Sequence, residues 1–223
     1  YQWLAGRFSL GKSHLHSRQD LLTTFPDLNS ENLRGGVSYC DLVMDDQALA
    51  EILLSEARSS GVNIYTNSPV SNLTTSGMLE ANGDELSFDH IINATGPWAS
   101  DVLTQANIES RFDIEHVRGS HLLLELSLSH ALVFQVPTDN RIVFCIPQSA
   151  NEVLLGTTEH SHRLTDPIEC SEAEVDYLLA VLNSHLNLGV GREQIKTTLS
   201  GVRPIAKTRQ AELSNMSTAS RDS

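Results

Sequence analysis

Phe88-Asp89-His90-Ile91-Ile92-Asn93-Ala94-Thr95-Gly96-Pro97-Trp98 reads as a short apolar strand running into small residues and a glycine, before a helix opens near Ala99. Small side chains at such a strand end let backbone approach a bound group with N–H donors pointing outward. Pro97 suits a first helical turn. Working outward toward the N-terminus, Asn82-Gly83 is a two-residue hairpin signal and Ser76-Gly77 a second divider, so the residues from Pro69 form a small antiparallel meander. Val62 to Tyr65 reads as a strand before it. Leu49, Ile52, Leu53 and Ala57 recur at helical spacing, with Asp45 or Asp46 placed to cap the start and Gly61 where a left-handed C-terminal cap belongs. Residues 1 to 40 carry only a short helix or two near Ser17 to Leu22.

Toward the C-terminus, Leu122, Leu124, Leu126 and Leu128 alternate with His121, Leu123, Glu125 and Ser127, which puts one strand face on a core. Ala131 to Val136, Arg141 to Ile146 and Glu152 to Thr157 extend this into an antiparallel sheet of at least four strands. Ser171 and Glu174 form a capping box ahead of Val175, Leu178, Leu179 and Leu182, an amphipathic helix ending near Gly189. Ile195 to Leu199 is a last strand, leading into a rigid turn at Ser200-Gly201-Val202-Arg203-Pro204. The fold class is therefore α/β with a mostly antiparallel second region.

Composition narrows the function. The chain has 223 residues, 15 basic against 28 acidic, a net charge of -13 and 40% hydrophobic residues. That is enough to bury a core, and the acidic balance argues against nucleic acid and anionic membrane surfaces as nonspecific partners. A phosphorylated small molecule needs only a few local arginines. Cys40, Cys145 and Cys170 show no ligand or disulfide spacing, which agrees with a reducing, cytoplasmic compartment. No apolar run approaches the roughly 18 residues of a membrane-spanning helix. His14/His16 and His160/His162 lack a third ligand, so no metal is expected. Cys145 reads as a core residue, and the acidic run Glu169 to Asp176 as a helix N-terminus.

Helix, strand, meander and a strand ending in Ala-Thr-Gly is an order that resembles the C-terminal half of a glutathione-reductase-type FAD-binding domain. Five segments carry a closer resemblance: Asn93-Ala94-Thr95-Gly96-Pro97-Trp98, Val117-Arg118-Gly119-Ser120-His121, Arg141 to Pro147, Gly156-Thr157-Thr158-Glu159 and Ser200 to Pro204. In this order they resemble the FAD-dependent, membrane-associated glycerol-3-phosphate dehydrogenases, with Glu159 standing where that family usually has Asp. The resemblance implies a D-amino-acid-oxidase-like substrate domain beside the flavin domain. Its expected layout is a linking segment over 1–40, part of the FAD domain over 41–108, the substrate domain over 109–200, and a return toward the FAD domain over 201–223.

By the same resemblance, sn-glycerol 3-phosphate is oxidised to dihydroxyacetone phosphate, with electrons passing through FAD to quinone. It implies His121 and Arg203 as catalytic residues, Arg203, Arg221 and Thr158 as substrate contacts, and Val70, Ala94, Thr95, Gly96 and Trp98 as FAD contacts. Histidine suits removal of a hydroxyl proton because its pKa lies near working pH. An arginine fork suits a phosphate. Peripheral attachment to the inner face of the cytoplasmic membrane is allowed for the full-length protein. The GxGxxG fingerprint that seats the pyrophosphate is absent from residues 1 to 223, so the chain is expected to be an internal fragment that neither holds FAD tightly nor turns over alone. The alternatives are another FAD-dependent oxidoreductase acting on an amino acid or 2-hydroxy acid, where Arg203 binds a carboxylate, and a noncatalytic truncated homologue.

Overall fold

In the computed structural model, which describes residues 6–8, 10–110 and 112–208, the chain divides into two units, residues 1–68 with 186–188 and residues 69–185 with 189–223. In the first unit, β1 (His14–Ser17) pairs antiparallel with β2 (Gly35–Ser38), and α1 (Arg18–Thr24) lies between them in sequence. Ser17 caps α1, its hydroxyl accepting from Asp20 N while Asp20 answers to Ser17 N. The two strands are polar and glycine-rich, which hides them from a reading by apolar alternation. The expected helix after Asp45 is α2 (Asp46–Ser59), capped by the Asp45 carboxylate and followed by Gly61 at φ +85°. Its apolar stripe is left open: Ile52 is 60% and Leu53 61% exposed.

The second unit begins with the meander, β3 (Val70–Ser71), β4 (Met78–Ala81) and β5 (Asp84–Ser87), paired antiparallel in that order. Asn82 at φ +56° and Gly83 at φ +84° make the tight turn between β4 and β5. Asn82 is one of six asparagines with positive φ among the described residues. After a single 3₁₀ turn at Gly96–Trp98 comes α3 (Ala99–Gln105). A six-stranded sheet follows: β6 (Phe112–Glu125), β7 (Leu132–Gln135), β8 (Ile142–Ser149), β9 (Glu152–Gly156), β10 (His160–Ser161) and β11 (Ile195–Thr208), with α4 (Glu172–His185) inserted before β11. The long β6 is its axis. One edge of β6 pairs with β11, and the other pairs with β10 at Val117 and Arg118 and with β9 from His121 to Glu125.

Leu122, Leu124, Val143, Cys145, Val153 and Leu155 are fully buried on one face of this sheet, and α4 covers them with Leu178 and Leu182. Phe134 stacks on His185 with ring centroids 4.5 Å apart. Cys145 is inert in this setting, its thiol pushed up to about 12 by burial. Leu178→Ala, which empties volume that close packing cannot refill, lowers stability by about 3 kcal/mol. Denaturant unfolding of the protein carrying this segment measures the loss, and a change below about 1 kcal/mol contradicts this account of the core.

Three sequence expectations are corrected. Val62 to Tyr65 and Phe88 to Asn93 join no sheet. An extended segment becomes a strand only beside a neighbour that takes its backbone hydrogen bonds along its length, and among the described residues only the first residue of each is held, Val62 N donating to Ala57 O and Phe88 N to Gly77 O; Tyr65 is 74% and Ile92 90% exposed. Ser200 to Pro204 is no turn either, because β11 runs unbroken through it. Pro204 is tolerated there since β11 is an edge strand.

Candidate active site on the open sheet face

Residues directly opposite in an antiparallel ladder point to the same face. His121 on β6 lies opposite Leu199 on β11 and Gly156 on β9, Gly119 lies opposite Gly201, and Val117 opposite Arg203. These residues share the face turned away from α4, whereas Arg118 and Ser120 bond to α4 through Glu174. Register thus puts His121 and Arg203 on one face, four positions apart along β6.

Glycines make room for them. A Cβ at Gly156 would stand 2.7 Å from Cγ of the His121 ring, and one at Gly119 would stand 2.6 Å from Thr157 Oγ1 and 3.1 Å from Arg203 Nη2. The imidazole and the guanidinium therefore lie over bare backbone. Arg203 Nη2 donates to Thr157 Oγ1 at 3.3 Å, and Nη1 lies 3.9 Å from Glu159 Oε1. The Arg203 side chain is still 46% exposed, so part of its fork faces solvent. Burial first, and then the positive charge of Arg203, hold the His121 pKa below the ordinary imidazole value. The arrangement is a neutral base beside a fixed cation.

The turn at Asn93–Trp98 is built by Asn93, whose Oδ1 accepts from Thr95 N and Thr95 Oγ1 at 3.3 and 2.8 Å and whose Nδ2 donates to Ala99 O at 2.9 Å. His116 Nε2 donates to Pro97 O at 2.7 Å, tying the turn to β6 next to the Val117–Arg203 pair. Gly96 has φ +58°, and a Cβ there would meet nothing within 4 Å; a Cβ at Gly201 would likewise meet nothing within 4 Å. Ala94, Thr95 and Trp98 are exposed beside it. Val70, half exposed in β3, belongs to the meander and has no pairing with the six-stranded sheet.

Thr158 is corrected as a substrate contact. It is fully buried, and its hydroxyl donates to Glu174 Oε1 at 2.7 Å and accepts from Ser120 N at 2.9 Å. Its neighbour Thr157 is the one that meets Arg203. Arg221 lies outside the described residues. Sequence reasoning missed Thr157 and the buried group behind it, in which Glu174 accepts from Arg118, Ser120, Thr158 and Ser171. A signal for the latter existed: Glu174 occupies the same helical stripe as Leu178 and Leu182, where a charged residue demands partners. Among the described residues no helix is long and apolar enough to cross a membrane.

The sequence matches the FAD dependent oxidoreductase family over residues 2–216. It is 32% identical over 200 residues to a glycerol-3-phosphate dehydrogenase of Pseudomonas tolaasii, covering 84% of this chain and 38% of that protein. It is 29% identical over 183 residues to D-erythritol 1-phosphate dehydrogenase of Brucella abortus, covering 76% and 36%. Among solved structures, the glycerol-3-phosphate dehydrogenase from Bacillus halodurans complexed with FAD superposes with a TM-score of 0.79 at 23% identity, over 87% of this chain and 42% of that one. The chain spans less than two fifths of the length of these two curated relatives.

Proposed function

The chain belongs to the FAD-dependent oxidoreductase family, and from that premise we propose that it supplies the substrate-facing sheet of a flavoenzyme that oxidises sn-glycerol 3-phosphate to dihydroxyacetone phosphate. The observation that carries this reading is the pair of His121, with its lowered pKa, and the half-open Arg203 fork on one sheet face. The likeness to glycerol-3-phosphate dehydrogenases supports the substrate. The residues fit a flavin: Gly96 and Gly201 leave open space where it would lie, and the Asn93–Trp98 turn offers exposed backbone. In this reading Ala94, Thr95, Gly96 and Trp98 hold FAD, and Val70 meets its adenine end.

Bound FAD would supply the two-electron acceptor. His121, neutral at working pH, takes the C2 hydroxyl proton while hydride leaves the same carbon, so the alcohol becomes a ketone with charge balanced. Arg203 holds the phosphate and thereby fixes C2, converting binding into orientation. Arg221 is assigned as a second phosphate contact. Quinone as electron acceptor and attachment to the inner face of the cytoplasmic membrane belong to the same proposal, as does the need for further sequence to complete the FAD site.

The test is to purify the full-length protein that carries this segment, record its flavin absorbance, and follow dye reduction. Glycerol 3-phosphate should reduce the dye, D-erythritol 1-phosphate less well, and glycine not at all. Reduction by glycine or a 2-hydroxy acid in preference to both phosphates would assign Arg203 to a carboxylate and overturn the reading.

A further inference from the structure

We propose that Glu174 is the positioning residue of this site, holding the segments that carry His121, Thr157 and Arg203 in place from the reverse face of the sheet. The ladder between β6 and its neighbours has a gap: β9 pairing ends at His121–Gly156, and β10 pairing resumes only at His160–Arg118. Thr157 and Glu159, the two residues that meet Arg203, lie in that gap. What spans it is largely side-chain bonding. Thr158 Oγ1 donates to Glu174 Oε1 at 2.7 Å and accepts from Ser120 N at 2.9 Å, and Thr158 N donates to Ser120 O at 3.2 Å.

The same carboxylate accepts from Ser120 Oγ at 2.9 Å, from Arg118 Nη2 at 2.5 Å, and from Ser171 N and Oγ at 2.8 and 2.7 Å. Ser120 Oγ also meets Ser200 Oγ on β11 at 2.9 Å. One fully buried anion therefore joins β6, the gap segment, the start of α4 and, through Ser120, β11. Three of the joined residues neighbour the open face: Ser120 precedes His121, Thr158 follows Thr157, and Ser200 precedes Gly201. Helix packing alone asks for an apolar residue at this stripe position, and burying a charge is costly unless its bonds do something a leucine cannot. Burial works to raise the carboxyl pKa, but the bonds from Thr158, Ser171 and Ser120 outweigh it and bring it to about 2.

The proposal rests on the functional reading for its kinetic arm and is independent of it in the other. In the full-length flavoprotein, Thr158→Val should raise KM for glycerol 3-phosphate about tenfold with kcat changed less, and Thr158→Ser should restore it to within about twofold. Glu174→Gln should act in the same direction, since its amide leaves one oxygen for the donors. Histidine-labelled NMR of substrate-free protein is the second arm. The charged group facing His121 is Arg203 from β11, itself paired toward Glu159, while β9 contributes only Gly156. With Thr157 released, Arg203 draws back and the His121 titration should move upward in Thr158→Val and Glu174→Gln. Unchanged His121 titration in both variants, with melting temperature alone lowered, would reduce Glu174 to a structural role and overturn the proposal. If wild type fails to oxidise glycerol 3-phosphate, the functional reading falls while the titration still decides the positioning role.

Discussion

Arg203→Ala should lower kcat/KM for glycerol 3-phosphate about a thousandfold, roughly 4 kcal/mol of transition-state stabilisation. Arg203 shares the open face with His121, its Nη2 held by Thr157 and part of its fork open, so truncation removes a cation whose charge reaches the imidazole. Lysine retains charge but loses the planar fork, so Arg203→Lys should recover only part of the activity. Two further readouts separate a phosphate contact from a general loss. Oxidation of glycerol, which has no phosphate, should be slow and nearly equal in wild type and variant. The His121 pKa should rise in Arg203→Ala, since one of the two causes that lower it is gone, while burial, the larger cause, remains. A variant with wild-type KM and kcat would place the substrate anion elsewhere.

His121→Asn should cost about a thousandfold in kcat, within the range that general-base catalysis contributes. The pH profile tests the assignment more sharply. A base works only when neutral, so activity should rise with pH through the His121 pKa. Burial and Arg203 lower that pKa, and the rising limb should therefore fall at more acidic pH than an unperturbed histidine gives, near 6.5. His121→Asn should abolish the limb along with most of the rate. A surviving limb at the same pH would show that another group takes the proton. Gly156→Ala offers a check that leaves the imidazole in the sequence, because the added methyl would crowd the ring where it now lies.

How far the sequence reaches is clear from single residues. The helices α2 and α4 were legible because their periodicity and caps are local: Asp45 and Gly61 bound one, and Ser171 with Glu174 opens the other. The meander was legible from Asn82-Gly83. Segments 62–65 and 88–93 form no strand for a physical reason, since an apolar run states a preference and cannot name a partner. The polar β1 and β2 went unseen for the converse reason. His121 and Arg203 stand out individually, but their sharing of one face depends on the register between β6 and β11, strands separated by much of the second unit. The choice between Thr157 and Thr158 hangs on where the β9 ladder stops, which no residue type announces.

The turn between β4 and β5 also gives the protein a chemical age. Asn82 holds a left-handed conformation and is followed by Gly83, whereas the other five asparagines with positive φ among the described residues are followed by Leu33, Ser68, Leu73, Ile108 and Arg141. With no side chain on residue 83 to obstruct it, the backbone nitrogen can attack the Asn82 amide carbon and expel ammonia, closing a succinimide ring. Opening of that ring leaves aspartate or its β-linked isomer. Either product makes a chain of formal charge -13 more acidic. The isomer also adds a methylene to the backbone of a two-residue hairpin that has no slack, so stored protein should lose order first at β4 and β5, well before the buried sheet under α4 notices.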